Sequence, residues 1–401
     1  MSAMKTKGMS GYEARLEARH LRSGENSRFA GGGLAFDEYV RRTTAMLRRV
    51  HAGAADAEKI VAGNAPFELH PIGDDCRGAR KRYRRGVLLT HGLTDSPYFM
   101  RPLAEFYTQN GFRVMAMLLP GHGTRPGDLL DVRRQEWAKA VAYGTDRLAE
   151  EVDEVYLAGF SAGAALSIRQ SLCDSRVRGL FLFSPALEID PRARWANLHR
   201  LYSWLMPRAA WVDIKQDNNR YKYESLPRNA AAQMHALTQE LKLLLRQREM
   251  DVPVFAVASR EDVTASAQAT LEFMAHARHP SGRLLLYTSD TGKPPSGFPA
   301  EKLELVNSAF PELGILSSAH TAIVLPPEDA YYGAAGVYAN CIHYYPGDIE
   351  KYEACNKGEA GVLQGEITAA NLQAGVLRRL MYNPNFAALK VSMKRFIDSL
   401  S

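Results

Sequence analysis

The chain has 401 residues, 46% of them hydrophobic and 23% charged, with a net charge of +6. That balance excludes disordered and fibrous classes and fits a globular protein, long enough for one large domain with insertions or two to three modest ones. No run of about 18 apolar residues occurs, so no transmembrane helix is predicted, and four cysteines without a C-x-x-C pair argue against a zinc site.

Residues 1–33 read as flexible and end in "GGG". Their opening stretch has no apolar core and does not read as a signal peptide, although a chain with its leader removed would read the same way. The expected compartment is cytoplasmic, and the alternative is an exported or membrane-anchored protein whose leader is absent. "FDEYVRRTTAMLRRV" follows as an amphipathic helix, with Phe36, Tyr39, Val40, Leu47 and Val50 at three- and four-residue spacing. Residues 1–65 thus form an N-terminal flexible and helical extension. "RGARKRYRRG" then concentrates six basic residues in ten. Without an aromatic-rich or helix-turn-helix context it reads as a solvated loop between strands, so nucleic acid is not an expected partner. A membrane surface stays open without being indicated.

From residue 66 strands and helices alternate. "FELHPI" reads as an edge strand and "GVLLTHG" as a buried strand running into a glycine turn. "MRPLAEFYTQNG" reads as a helix that Gly111 ends, and "FRVMAMLLPGHG" as a strand stopped by Pro120. "QEWAKAVAYGTDRLAEEV" is the next helix, and the run from Val155 to Ala158 the next strand. "VRGLFLFSPAL", "VPVFAVAS" and "RLLLYTSD" are further strands, and "KLELVNSAF" is a strand candidate. "SAQATLEFMAHA" and "NFAALKVSMKRFIDSL" are later helices. This alternation predicts an α/β fold, a doubly wound and mostly parallel sheet.

Residues 190–250 break the pattern with two apolar helical stretches. They read as a helical cap inserted into a core of residues 66–189 and 251–401, a core helix pair being the alternative. Leu201, Trp204, Leu205 and Met206 share one helical face, and Leu237, Leu241 and Leu244 share another. A cap would close these faces over the site as an apolar pocket, with Trp204 and Leu205 as its lining.

"LAGFSAGAA" places Ser161 between glycines, after a strand and before an alanine-rich helix. A strand, a tight turn with one serine at its apex, then a helix is the context of a nucleophile elbow. The helix N-terminus beneath Ser161 favours the negative charge that develops in acyl transfer. A serine needs a base, and the base an orienting acid. His320, late in the chain within "ILSSAHTAIVL", is the candidate base among eleven histidines. Asp262, in the polar turn after "VPVFAVAS", is the candidate acid, with Asp290, Glu261 and Asp190 as rivals. The oxyanion calls for two donors fixed in advance. The N–H of Ala162 is one, and the N–H of Leu93 in "LLTHGLTDSP" is the other. His122 in "PGHG" reads as structural.

The set "HGLTDSP", "PGHG", "GFSAG", "REDVT" and "SAH", in that order, resembles the α/β-hydrolase superfamily over about residues 66–325. The likeness is to the branch holding monoacylglycerol lipases, bacterial carboxylesterases and serine-aminopeptidase-like hydrolases. The resemblance implies a sheet of that type with a cap, Ser161 as nucleophile, His320 as base, Asp262 as orienter, and Leu93 and Ala162 as oxyanion donors. It implies no metal and no organic cofactor. The expected substrate is a small-molecule ester with an apolar acyl chain. An amide or peptide hydrolase on the same triad and a non-catalytic binding protein on the same fold are the alternatives. The sequence departs from the pattern in three places: "ASRED" lacks a glycine before the acid, the connection from acid to His320 is long, and about 75 residues follow His320 with no counterpart. Cys341 and Cys355 flank thirteen residues there, positioned to pair in an exported protein and to stay free in a reducing cytosol. The oligomeric state is not fixed by the sequence.

Overall fold

A computed structural model describes residues 16–71, 82–188, 206–358 and 361–400. In chain order the elements begin with helices α1 (Phe36–His51) and α2 (Ala57–Asn64) and strand β1 (Phe67–Leu69). Strand β2 (Tyr83–Thr90), helix α3 (Arg101–Gln109) and strand β3 (Phe112–Met117) follow. Helix α4 (Arg134–Glu151), strand β4 (Val152–Phe160), helix α5 (Ala162–Cys173) and strand β5 (Val177–Phe183) complete the first half. Short strands β6 (Trp211–Asp213) and β7 (Leu226–Pro227) precede the long helix α6 (Arg228–Gln247). Strand β8 (Val254–Ser259), helix α7 (Ala267–His276) and strands β9 (Arg283–Thr288) and β10 (Leu303–Asn307) follow. Helix α8 (Ile349–Lys357), strand β11 (Leu363–Gly365), helix α9 (Ala369–Ala374), strand β12 (Leu377–Arg379) and helix α10 (Phe386–Asp398) end the chain.

The main sheet has eight strands in the order β1-β3-β2-β4-β5-β8-β9-β10. All its pairs are parallel except that of edge strand β1 with β3. Parallel strands are covered on both faces, which is why their sequences read as continuous apolar runs. Successive residues feed opposite faces: Leu88, Leu157 and Leu182 pack under α4, α5 and α6, whereas Val87, Leu89, Ala158 and Phe183 pack under α3 and α10. The parallel strands run together, so the turns after β2, β4 and β8 gather at one rim, the place where open α/β sheets carry their sites.

Two expectations are revised. Of residues 1–33, expected to be flexible, 1–15 lie outside the described residues and 16–33 lie bound on the loop after β3. There Ser23 N–H donates to Asp128 at 2.7 Å and the Asn26 side-chain amide donates to His122 O at 2.8 Å. Helix α6, expected to close over the rim, buries Leu237 and Leu241 in the core beside α5, and Leu244 lies partly buried on the same cluster. Its apolar spacing served core packing, which needs the same stripe. The segment after His320 folds into β11 and β12, paired in parallel, and is joined by a Cys341–Cys355 disulfide with its Cα atoms 5.9 Å apart. Leu201, Trp204, Leu205 and Asp190 lie outside the described residues, as does much of the basic run. Its described members are paired: Arg82 donates to Asp153 and Arg85 to Glu154. Among the described residues, no helix is long and apolar enough to cross a membrane.

Candidate active site

Strand β4 ends at Phe160 and α5 begins at Ala162, which leaves Ser161 alone to make the turn. Its φ of 55° and ψ of −113° put a non-glycine residue in a region that costs about 1–3 kcal/mol. Neighbouring contacts hold it there. Ser161 N–H donates to Phe183 O at 2.9 Å, and Ser161 O accepts from Ala164 and Ala165. Both flanking glycines are required by close approach. A Cβ on Gly163 would lie 2.0 Å from Thr90 O, and one on Gly159 would lie 2.3 Å from the Gly163 carbonyl. Any side chain at either position would push α5 off the sheet.

His320 opens a 3₁₀ turn, His320–Ala322, and is buried with its ring 5.1 Å from that of Phe160. Its Nε2 lies 3.0 Å from Ser161 Oγ and its Nδ1 lies 2.7 Å from Asp262 Oδ2. A carboxylate at Nδ1 demands a proton there, which leaves Nε2 as the acceptor facing the serine hydroxyl. Asp262 sits in the turn after β8. Its Oδ1 accepts the N–H groups of Thr264 at 2.7 Å and Ala265 at 2.9 Å, so Oδ2 alone is free to face the imidazole. Burial pushes this carboxyl up, but His320 and the two amides outweigh burial and hold it below the ordinary carboxylate value. The structure brings together Ser161, His320 and Asp262 in one hydrogen-bonded chain.

The described rivals of Asp262 are elsewhere. Asp290 follows β9 and is paired on the surface with Lys293 at 2.9 Å. Glu261 points toward the end of β9, where it accepts from Ser289 N–H and Oγ, both at 2.8 Å.

Ala162 holds the first position of α5, where a backbone N–H has no acceptor within its own helix. Leu93 follows Gly92, whose backbone crosses directly against the serine: a Cβ on Gly92 would lie 3.2 Å from Ser161 Cβ. The Leu93 loop is braced from behind. Thr94 N–H donates to His122 Nε2 at 3.1 Å, and Lys222 Nζ binds Asp95 at 2.6 Å and Thr94 Oγ1 at 2.9 Å. A cleft of about 1180 Å³ opens beside the acid turn, bounded by Glu188, Arg260, Thr264, Leu271 and Phe298. Among the described residues, no three or more His, Cys, Asp or Glu side chains gather as metal ligands would.

Sequence reasoning missed one pair. Glu366, wholly buried beyond β11, accepts the His320 main-chain N–H at 2.9 Å, and Arg379 of β12 donates to the same carboxylate oxygen at 2.9 Å. Neither residue belongs to a motif. The one available signal is a single acid in "LQGEIT" and an arginine pair between apolar residues in "VLRRLM".

Residues 87–326 match the family model described as the Alpha/beta hydrolase family. Over 104 residues the chain is 33% identical to the thermostable monoacylglycerol lipase of Bacillus sp. (strain H-257), a match covering 26% of this chain and 42% of that protein. Over 86 residues it is 29% identical to a carboxylesterase of Bacillus subtilis (strain 168), covering 21% of this chain and 35% of that one. The chain therefore spans less than half the length of these curated relatives. One solved structure from work on the metagenome-derived lipolytic enzymes LipS and LipT aligns at 23% identity and a TM-score of 0.47, covering 56% of this chain and 87% of that chain. The Paleococcus ferrophilus monoacylglycerol lipase aligns at 16% identity and a TM-score of 0.43, covering 56% and 88%.

Proposed function

The chain belongs to the alpha/beta hydrolase family, and from that premise we propose that it is a serine hydrolase that cleaves carboxylic esters through an acyl-serine intermediate. Ser161 is the nucleophile, His320 the general base, and Asp262 the acid that orients it. The observation that carries the proposal is the unbroken chain from Ser161 Oγ to His320 at 3.0 Å and on to Asp262 at 2.7 Å, set on a strained turn at a helix N-terminus.

The chemistry follows from this placement. Ser161 Oγ attacks the ester carbonyl as His320 Nε2 takes its proton. The tetrahedral oxyanion forms against the N–H groups of Leu93 and Ala162, donors fixed before charge develops. His320 returns the proton to the leaving alcohol, then activates a water that releases the acid and restores the serine. Asp262 keeps the proton on Nδ1 and stabilises the imidazolium.

Two relatives named a monoacylglycerol lipase and a carboxylesterase support an ester over an amide. A small-molecule ester with an apolar acyl chain is the substrate class, on the apolar composition of the 190–206 stretch that holds Trp204 and Leu205. The disulfide of Cys341 with Cys355 supports a chain that matures in an oxidising compartment rather than the cytosol.

The test is a fluorophosphonate probe together with p-nitrophenyl esters of increasing chain length and an aminoacyl p-nitroanilide. The expected result is a single label on Ser161, ester turnover that rises with chain length to an optimum, and little anilide cleavage. Trp204→Ala should shift the optimum with little change for acetate. Label on another residue would overturn the nucleophile. Flat chain-length dependence would remove the apolar substrate.

A further inference from the structure

The segment after His320 supplies none of the groups proposed to react, yet it touches both turns that carry them. Glu366 Oε2 accepts the main-chain N–H of His320 at 2.9 Å, which fixes the start of the turn from which the imidazole projects. Arg379 completes the pair, with Nη2 2.9 Å from Oε2 and Nε 2.8 Å from Oε1. The Ile367 N–H fills Oε1 at 2.8 Å. The same Arg379 Nη2 donates to Thr264 Oγ1 at 2.6 Å, and Thr264 N–H donates to Asp262 Oδ1 at 2.7 Å. One ion pair thus grips the His320 turn through its carboxylate and the Asp262 turn through its guanidinium.

The pair is itself held firmly. Glu366 N–H donates to Ser317 Oγ at 3.1 Å, and Arg379 N–H donates to Asn340 O at 2.9 Å. The neighbouring Arg378 donates twice to Cys355 O, at 2.9 and 2.8 Å, next to the disulfide. Burying two charges is costly, and apolar residues would join two short strands at less cost. What the charges add is direction: a carboxylate accepting along a fixed line and a planar guanidinium reaching two acceptors at once.

We propose that Glu366 and Arg379 are positioning residues for the reaction, setting the angle and distance between His320 and Asp262 from outside the αβ core. The proposal rests on the triad reading above. The experiment uses the full, disulfide-bonded chain and three variants: Arg379→Lys, Arg379→Met and the double variant Glu366→Gln/Arg379→Met. The double variant leaves no lone buried charge, so it stays folded if the single Met variant does not. For each, kcat and KM on a p-nitrophenyl ester are measured with the low-field proton resonance of His320 Nδ1–H and the thermal midpoint. Arg379→Met and the double variant should lower kcat at least tenfold with KM within twofold, and should weaken the low-field resonance. Arg379→Lys, which keeps a charge for Glu366 but not the planar reach to Thr264, should recover only part of the loss. A folded Met or double variant with wild-type kcat and an intact resonance overturns the proposal, as does a loss of kcat that tracks only the loss of folded protein. Failure of the wild type to label at Ser161 overturns the triad reading instead, so the two failures are distinguishable.

Discussion

Three buried histidines stand at one end of the sheet, and their surroundings divide them. His91 lies 2.8 Å through Nδ1 from Gly92 O and accepts Leu119 N–H at 3.1 Å on Nε2. His122 lies 3.0 Å through Nδ1 from Pro120 O and accepts Thr94 N–H at 3.1 Å on Nε2. Each is satisfied by the main chain in its neutral form. Burial lowers both, His91 well below the ordinary imidazole value and His122 to about 4. His320 is buried too, but it faces a carboxylate on one nitrogen and a hydroxyl on the other. Burial alone does not make a base. A ring whose partners are amides and carbonyls braces loops, and a ring between an anion and a hydroxyl can accept a proton and stay stabilised once it has done so.

The sharpest way to break this contrast is to remove the partners. Ser161→Ala and His320→Gln should each lower kcat on the order of 10⁶-fold, the size of loss when a member of such a unit is removed. His122→Gln, which keeps a donor and an acceptor for the same backbone groups, should stay within about tenfold of wild type, since it touches only the brace behind Leu93. Steady-state kinetics on one p-nitrophenyl ester decides it. Equal losses in His122→Gln and His320→Gln would erase the distinction.

The next test sets one acid against another. Asp262→Asn should lower kcat by about 10⁴-fold, because an amide at that position no longer fixes the imidazole tautomer. Asp290→Asn, on the surface beside Lys293, should change kcat by less than about twofold, the ordinary result for an exposed pair. The reverse ranking would mean that the bond between Asp262 and His320 is not the one the reaction uses.

Much of this architecture was legible because it is locally determined. The alternation of strand and helix sets the parallel sheet, and a serine between two glycines at a strand end leaves few geometries open. Asp262 and Asp290 were not separable in that way. Each follows a buried strand in sequence, and what divides them is lateral position: β8 pairs with β5, and β9 stands one strand farther out, roughly 5 Å more. The stripe of Leu237, Leu241 and Leu244 was equally silent, since a helix facing a pocket and a helix facing the core need the same spacing. Glu366 and Arg379 were invisible for a third reason. Their meaning lies in contacts spanning 46 residues from Glu366 back to His320 and 115 from Arg379 back to Thr264. Residues 16–33 looked flexible because their ties, such as Asn26 to His122, are long-range hydrogen bonds without an apolar pattern.

The smallest effect concerns stability rather than rate. His122 titrates near 6.5 when the chain is unfolded and at about 4 when folded, because burial disfavours its charged form. Above pH 6.5 both states are neutral and the contribution to stability is complete. Between 6.5 and 4 the unfolded chain binds a proton that the folded chain refuses, so stability falls as pH falls. From pH 7 to pH 5 this amounts to about 2 kcal/mol for His122 alone, and His91 acts in the same direction. The comparison of wild type with His122→Gln isolates the share of one ring, since every other titrating group is common to both. Urea unfolding at pH 7 and pH 5 should show wild type losing about 2 kcal/mol more than the variant over that interval. Parallel losses would mean that His122 takes up its proton in the folded state, and the contrast between His122 and His320 would then rest on the partners of His320 alone.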